Sequence, residues 1–139
     1  MRVLRSIAAI VIGLGFMAAT TAVWTIVANA ALLPGGAGVA KASAVRMAAY
    51  LYVNLAVCGA GAVLGGWLTA RIAPSSPYGH SAVLAAIVAV VSVPSATGPA
   101  APYEPQWYPA ALGLIAVLGV LLGGKLRAAA ASADGPVVA

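Results

Sequence analysis

The side chains that could do chemistry are few and almost all uncharged. Thr21, Thr25 and Asn29 recur at i, i+4 and i+8, a spacing that places them on one face of a helix. Asn54, Cys58, Gly61 and Gly65 form a second small, partly polar stripe. Two chemistries fit such stripes. One is structural: amides bonded between helices, with Asn29 and Asn54 meeting across a hairpin, or threonine hydroxyls bonded to carbonyls of their own helix. The other is a small polar pocket, for which Thr25, Asn29 and Asn54 are the candidate ligand-binding residues.

Reactive groups are scarcer still. Glu104 and Asp134 are the only acids, and they are expected on opposite sides of a membrane, too far apart to work as a general acid–base pair. No Ser–His arrangement stands out as a nucleophilic set. His80 is solitary beside Tyr78 and Gly79, and one imidazole with one thiol makes a poor metal site. Cys58 has no second cysteine to bridge to and reads as a small packing residue. The expectation is therefore no catalytic residue, no metal and no cofactor, and a protein that is not an enzyme.

The elements that carry these residues are set by charge and hydropathy. Of 139 residues, 63% are hydrophobic and 6% charged, against roughly 25% charged in soluble domains. So few charges cannot cover a soluble fold, and disorder needs the opposite composition. The net charge of +5 is not gathered into a stripe, so it does not point to nucleic acid. Uncharged intervals separate Arg5 from Lys41, Arg46 from Arg71, Arg71 from Glu104 and Glu104 from Lys125. Each can hold the roughly 20 apolar residues of a membrane-spanning helix, and the lack of period-2 alternation argues against a β-barrel. The expected fold is all-α and integral to a membrane, with helices over about 6–32, 46–71, 79–97 and 106–127 in a single domain, 1–127. A short flexible tail, 128–139, follows. Pro34, Gly35 and Gly36 mark one helix end, Pro74 and Pro77 the next. Pro99, Pro102 and Pro105 fill the last loop, and Pro109 suits a first helical turn. Pro94 is expected to kink the third helix or end it early.

Counting basic residues by side gives the orientation. Arg2, Arg5, Arg71, Lys125 and Arg127 fall on one side, and Lys41 and Arg46 on the other. Both termini are therefore expected in the cytoplasm of a multi-pass protein of the inner (plasma) membrane. Tyr103, Trp107 and Tyr108 suit the opposite interface, and Trp67 the cytoplasmic one. A cleaved leader ending at Ala28-Asn29-Ala30 is the rival reading of the N-terminus, although the apolar run from Ile7 to Val27 exceeds a leader's core of about 7–15 residues. The last five residues, Gly-Pro-Val-Val-Ala, match no lipidation signal.

Helices two and four end alike. The segments Gly61–Ala70 and Gly119–Ala128 agree at six of ten positions, suggesting two hairpins related by an axis along the membrane normal. The rival explanation is a composition so rich in Gly, Ala and Leu that such matches are cheap. Each segment carries G-x-x-x-G, Gly61 with Gly65 and Gly119 with Gly123. Glycines four apart allow close backbone approach, either within the chain or at a seam between two copies.

The stretch Gly65-Gly66-Trp67-Leu68-Thr69-Ala70-Arg71-Ile72-Ala73-Pro74 resembles the G-G-aromatic-L-x-A-R-I-A-P end of helix two in small bacterial inner-membrane proteins of unknown function. Trp107-Tyr108-Pro109, Leu122-Gly123-Gly124-Lys125-Leu126-Arg127 and the basic start Met1–Ser6 are similar to the same group. The resemblance implies a four-helix inner-membrane protein and brings no activity or ligand with it. The leading expectation is a non-enzymatic membrane protein that acts through helix packing at Gly61, Gly65, Gly119 and Gly123. Its partners would be the lipid bilayer and a second copy or another membrane protein. The alternative is a small oligomeric channel or carrier for a neutral or anionic solute, several chains lining a path with Thr25, Asn29 and Asn54.

Overall fold

In a computed structural model, residues 2–32, 44–98 and 104–133 are described. Each of the four uncharged intervals folds as one helix: α1 (Arg2–Leu32), α2 (Ala44–Ile72), α3 (Pro77–Thr97) and α4 (Tyr108–Ala133). All four are long and apolar enough to cross a membrane. Helices are what the bilayer admits, because every peptide group bonds within its own segment. Large apolar side chains such as Val11, Ile26, Val90, Leu118 and Leu122 stand exposed on the outer faces, where a bilayer would solvate them. The chain is an all-α, four-helix, multi-pass membrane protein.

The helix ends differ from the sequence expectation in instructive ways. α4 continues to Ala133 instead of ending at Arg127, because the alanines after Arg127 are strong helix formers and Ser132 bonds back to the Ala128 carbonyl at 3.1 Å. Pro94 neither ends nor shortens α3, which runs to Thr97 and closes with the Gly98 N–H on the Pro94 carbonyl at 2.9 Å. Pro77 begins α3 rather than only closing α2. The turn before it depends on Ser76, whose backbone is left-handed at φ 45°. Pro109 lies in the first turn of α4, as its missing N–H allows. Ala28-Asn29-Ala30 is part of α1, and the Ala28 side chain is fully buried. The proposed breakers Pro34 to Gly36, Lys41, Pro99, Pro102, Tyr103 and the tail 134–139 lie outside the described residues.

The helices run up and down, so Arg5, Arg71, Lys125 and Arg127 share one end, here the basic end. Going round the bundle the order is α1, α2, α4, α3, with α2·α4 the most extensive contact; α2 also meets α3 across one diagonal. This order would suit two related hairpins. The equivalent glycines, however, exchange partners: Gly65 faces α1 and Gly66 faces α4, whereas Gly123 faces α2 and Gly124 faces α3. The echo in sequence is thus turned by one position in contact.

Lipid chains are as apolar as leucine, so close packing rather than hydrophobic expulsion has to hold these helices together. A Cβ on Gly123 would strike the Val63 carbonyl oxygen and lie 2.7 Å from the Trp67 nitrogen. One on Gly66 would strike the Val120 carbonyl and lie 2.7 Å from its Cα. Gly119 rests on α2 as well, with Ala62 Cβ 2.8 Å from where its own Cβ would be. Gly61 and Gly65 face Thr20 and Met17 of α1, and Gly13 of α1 faces Thr69. Both G-x-x-x-G pairs are therefore occupied by helices of the same chain. One hydroxyl reinforces the packing between helices, Ser81 of α3 donating to the Gly66 carbonyl of α2 at 2.9 Å, while the Thr69 hydroxyl bonds the Gly65 carbonyl of its own helix at 2.9 Å. Gly123→Ala is expected to lower the thermal midpoint in detergent sharply, by the roughly 1–3 kcal/mol of an overpacked core. Gly15→Ala, with nothing within 4 Å of the added methyl, should leave the midpoint unchanged or slightly raised, alanine being the better helix former; equal midpoints for the two variants would contradict this packing.

Candidate functional site

At the end opposite the basic one, bulkier residues take over from glycine. Tyr50 and Leu51 of α2, Tyr108 of α4 and Ala28 of α1 form a buried cluster, flanked by Trp24, Met47, Leu55 and Leu112. These side chains hold the helices further apart than glycine does. Between all four lies a cavity of about 550 Å³, within the roughly 300–1,000 Å³ range of small-molecule pockets.

Each helix supplies part of its wall. Met17 and Thr21 come from α1, and Asn54 and Cys58 from α2. Val91, Ser92 and Ser95 come from α3, and Tyr108, Pro109, Leu112, Gly113 and Ala116 from α4. Glu104, just before α4, adds the one charged side chain of the lining. Asn54 sits about 15 Å along α2 from its first residue, from a helical rise of about 1.5 Å per residue. The polar wall therefore reaches well into the span.

The polar groups are joined. The Asn54 amide donates to the Tyr108 hydroxyl, in a buried contact between α2 and α4. Cys58 lies one turn further along α2 and donates from its thiol to Asn54 Oδ1 over 3.7 Å. Thr21 of α1 reaches the same thiol with its side chain. Ser92 spends its hydroxyl proton on the Val88 carbonyl at 2.7 Å, so toward the cavity it can only accept. Having accepted from Asn54, the Tyr108 hydroxyl keeps its own proton to give. The arrangement offers hydrogen-bond partners of both kinds but no nucleophile–base pair. Among the described residues no three His, Cys, Asp or Glu side chains could together hold a metal ion.

Of the candidate ligand-binding residues, only Asn54 is found in this wall. The Thr25 hydroxyl bonds the Thr21 carbonyl of its own helix at 2.9 Å, and Thr25 does not line the cavity. Asn29 is on α1, but its side chain lies outside the described residues, and with it any meeting with Asn54. Tyr108 differs most from expectation. It is not an interfacial girdle residue but is buried, 2% exposed, whereas Trp107 beside it is exposed and meets its ring edge-on at 5.9 Å. Glu104, Ser92 and Ser95 were not singled out as site residues by spacing. The i, i+4 pair Asn54–Cys58 and Thr21 of the α1 ladder were the signals that pointed to the wall. His80 lies at the basic end, its Nδ1 3.2 Å from the Ser76 carbonyl, away from the cavity. Trp67 also sits at that end, with the Arg71 guanidinium 5.0 Å from the centre of its ring, a cation–π distance.

In comparisons with known proteins, no family model, no curated protein and no solved structure matches this chain.

The Asn54–Tyr108 contact can be weighed by a double-mutant cycle. Removing only one partner leaves a buried polar group unpaired. Asn54→Ala and Tyr108→Phe should therefore be non-additive in detergent unfolding, with a coupling of about 0.6–1.7 kcal/mol, the range for membrane-embedded hydrogen bonds. Strict additivity would mean the contact carries no energy.

Proposed function

We propose that this protein is a non-enzymatic membrane protein that takes a small polar solute into the cavity between its four helices. The observation that carries this reading is the connected wall of Thr21, Cys58, Asn54 and Tyr108, which faces a space of about 550 Å³ within one chain. Polar side chains in a bilayer are costly and tend to line a path or site. These four are uncharged and bonded to one another, which makes them tolerable there, and the space beside them leaves donors and acceptors for a guest.

The rival reading, action through helix packing with a second copy or another membrane protein, has less support. Gly61, Gly65, Gly119 and Gly123 already meet α1 and α2 of their own chain. A path built from several chains is not needed to explain the cavity, since all four helices of one chain contribute to its wall. The basic end, with Arg5, Arg71, Lys125 and Arg127, fits the cytoplasmic side by the positive-inside rule. On this reading both termini are cytoplasmic and the cavity faces the outer side. The resemblance at Gly65–Pro74 supports a bacterial inner membrane as its home.

Cys58 is a built-in reporter of the cavity. In lipid nanodiscs, the small neutral reagent methyl methanethiosulfonate should modify Cys58 of the folded protein, as read by intact mass. Ser95→Trp, which sets an indole in the cavity wall, should slow the reaction several-fold. A Cys58 that reacts only after unfolding would mean a sealed wall and would sink the solute reading.

A further inference from the structure

Resting on the solute reading, we infer that the cavity selects a small organic cation, an ammonium group carried on an apolar body, and rejects anions. The chemistry of the lining makes this choice. Among the described residues its one charged side chain is the carboxylate of Glu104, and no Lys, Arg or His lines it.

Neutral groups contribute too. Ser92 Oγ has committed its proton to Val88 and presents only lone pairs inward. The Cys58 sulfur is a soft, polarisable neighbour for an alkylated cation. The Tyr108 hydroxyl keeps a proton to give, but one neutral donor does not offset a carboxylate. For the body of such a guest the wall supplies Met17, Val91, Leu112 and Ala116.

Backbone dipoles agree. α3 ends at Thr97, so its C-terminal turns, with Ser92 and Ser95 in the cavity wall, bring partial negative charge to this end. α4 begins here and brings the opposite sign, but two of its first N–H groups are already occupied and Pro109 has none. The Tyr108 N–H bonds the Pro105 carbonyl at 2.9 Å, Pro109 has no N–H, and the Ala111 N–H bonds the Trp107 carbonyl at 3.0 Å. An anion would meet the Glu104 carboxylate with no cation in the described lining to offset it. The neutral or anionic solute expected from sequence is therefore replaced by a cationic one.

The test uses three molecules of one shape: 2-phenylethylammonium, the neutral 2-phenylethanol and the anionic phenylacetate. Each is titrated against the rate at which methyl methanethiosulfonate modifies Cys58 in nanodiscs. The cation should protect Cys58 at a concentration about tenfold lower than the alcohol does, a difference of about 1.4 kcal/mol, and phenylacetate should not protect. In Glu104→Gln the cation's advantage over the alcohol, each read against that variant's own unprotected rate, should disappear, while an unchanged helical circular-dichroism spectrum and a single monodisperse peak show that the variant folds; Glu104→Asp should keep most of the advantage. Equal protection by cation and alcohol, or an advantage that survives Glu104→Gln, overturns the cation assignment and leaves the solute reading standing. Failure of the reagent to reach Cys58 in the folded protein overturns both.

Discussion

The close approach of α2 and α4 is the constraint on which the rest of the bundle depends. Water offers no help inside a bilayer, because burying leucine against leucine gains little over burying it against lipid. Adhesion has to come from backbones brought near enough for dispersion and for weak polar contacts. Gly66 against Val120 and Gly123 against Val63 achieve this between two parallel helices. α1 then lies on α2 through Gly61, Gly65 and its own Gly13, and α3 lies on α4 through Gly124 against Ser81. The two outer helices are thus seated by glycines on a pair that glycines have already joined.

That constraint also accounts for the cavity. The glycines that seat α1, and those that join α2 to α4, gather toward the basic end and the middle of the bundle. At the other end Tyr50, Leu51, Trp24 and Tyr108 fill the interfaces, and rings of that size keep axes apart. The cavity lies at this end of the bundle. Polar residues inside it need partners. Asn54 finds Tyr108, and Cys58 finds Asn54 and Thr21. The Trp24 indole N–H is buried and finds no partner among the described residues, so the propping cluster is less fully bonded than the cavity wall beside it.

Most of the fold could be read from the sequence because the bilayer reads it through the same quantities. Charges are excluded from the core, so the positions of Arg5, Arg46, Arg71, Glu104 and Lys125 delimit spans with little reference to packing. Helix ends were less legible, since they depend on local competition. Pro94 was tolerated because it falls one turn from the end of α3, and the alanines after Arg127 prolonged α4 where a frayed tail was expected. The site was legible only in part. A spacing of i, i+4 identifies a face but not what it faces, so the threonine ladder on α1 looked as promising as the Asn54–Cys58 pair. Thr25 turned out to satisfy itself. Tyr108 was hidden by its neighbours, because an aromatic next to Trp107 at a helix start fits an interface whether it points outward or inward.

The echo between α2 and α4 bears on the site as well as the fold. If the two hairpins packed as strict equivalents, each would present its glycines alike and their environments would match. Instead the partners are turned by one position, with Gly66 and Gly123 taking the central seam and Gly65 and Gly124 taking the outer helices. Neighbouring positions on a helix lie about 100° apart, from 3.6 residues per turn. At the cavity, however, the lining positions correspond under the same alignment, Asn54 with Leu112 and Cys58 with Ala116, so the two walls differ in side chain and not in register. α2 brings the amide and thiol of Asn54 and Cys58, while α4 brings one hydroxyl at its first residue and then Leu112, Gly113 and Ala116. The result is a cavity with a polar wall on one side and a mostly apolar wall on the other. That asymmetry comes from the residues at equivalent positions, amide and thiol on α2 against Leu112 and Ala116 on α4, and an asymmetric guest, with a charged head and an apolar body, is what it would orient.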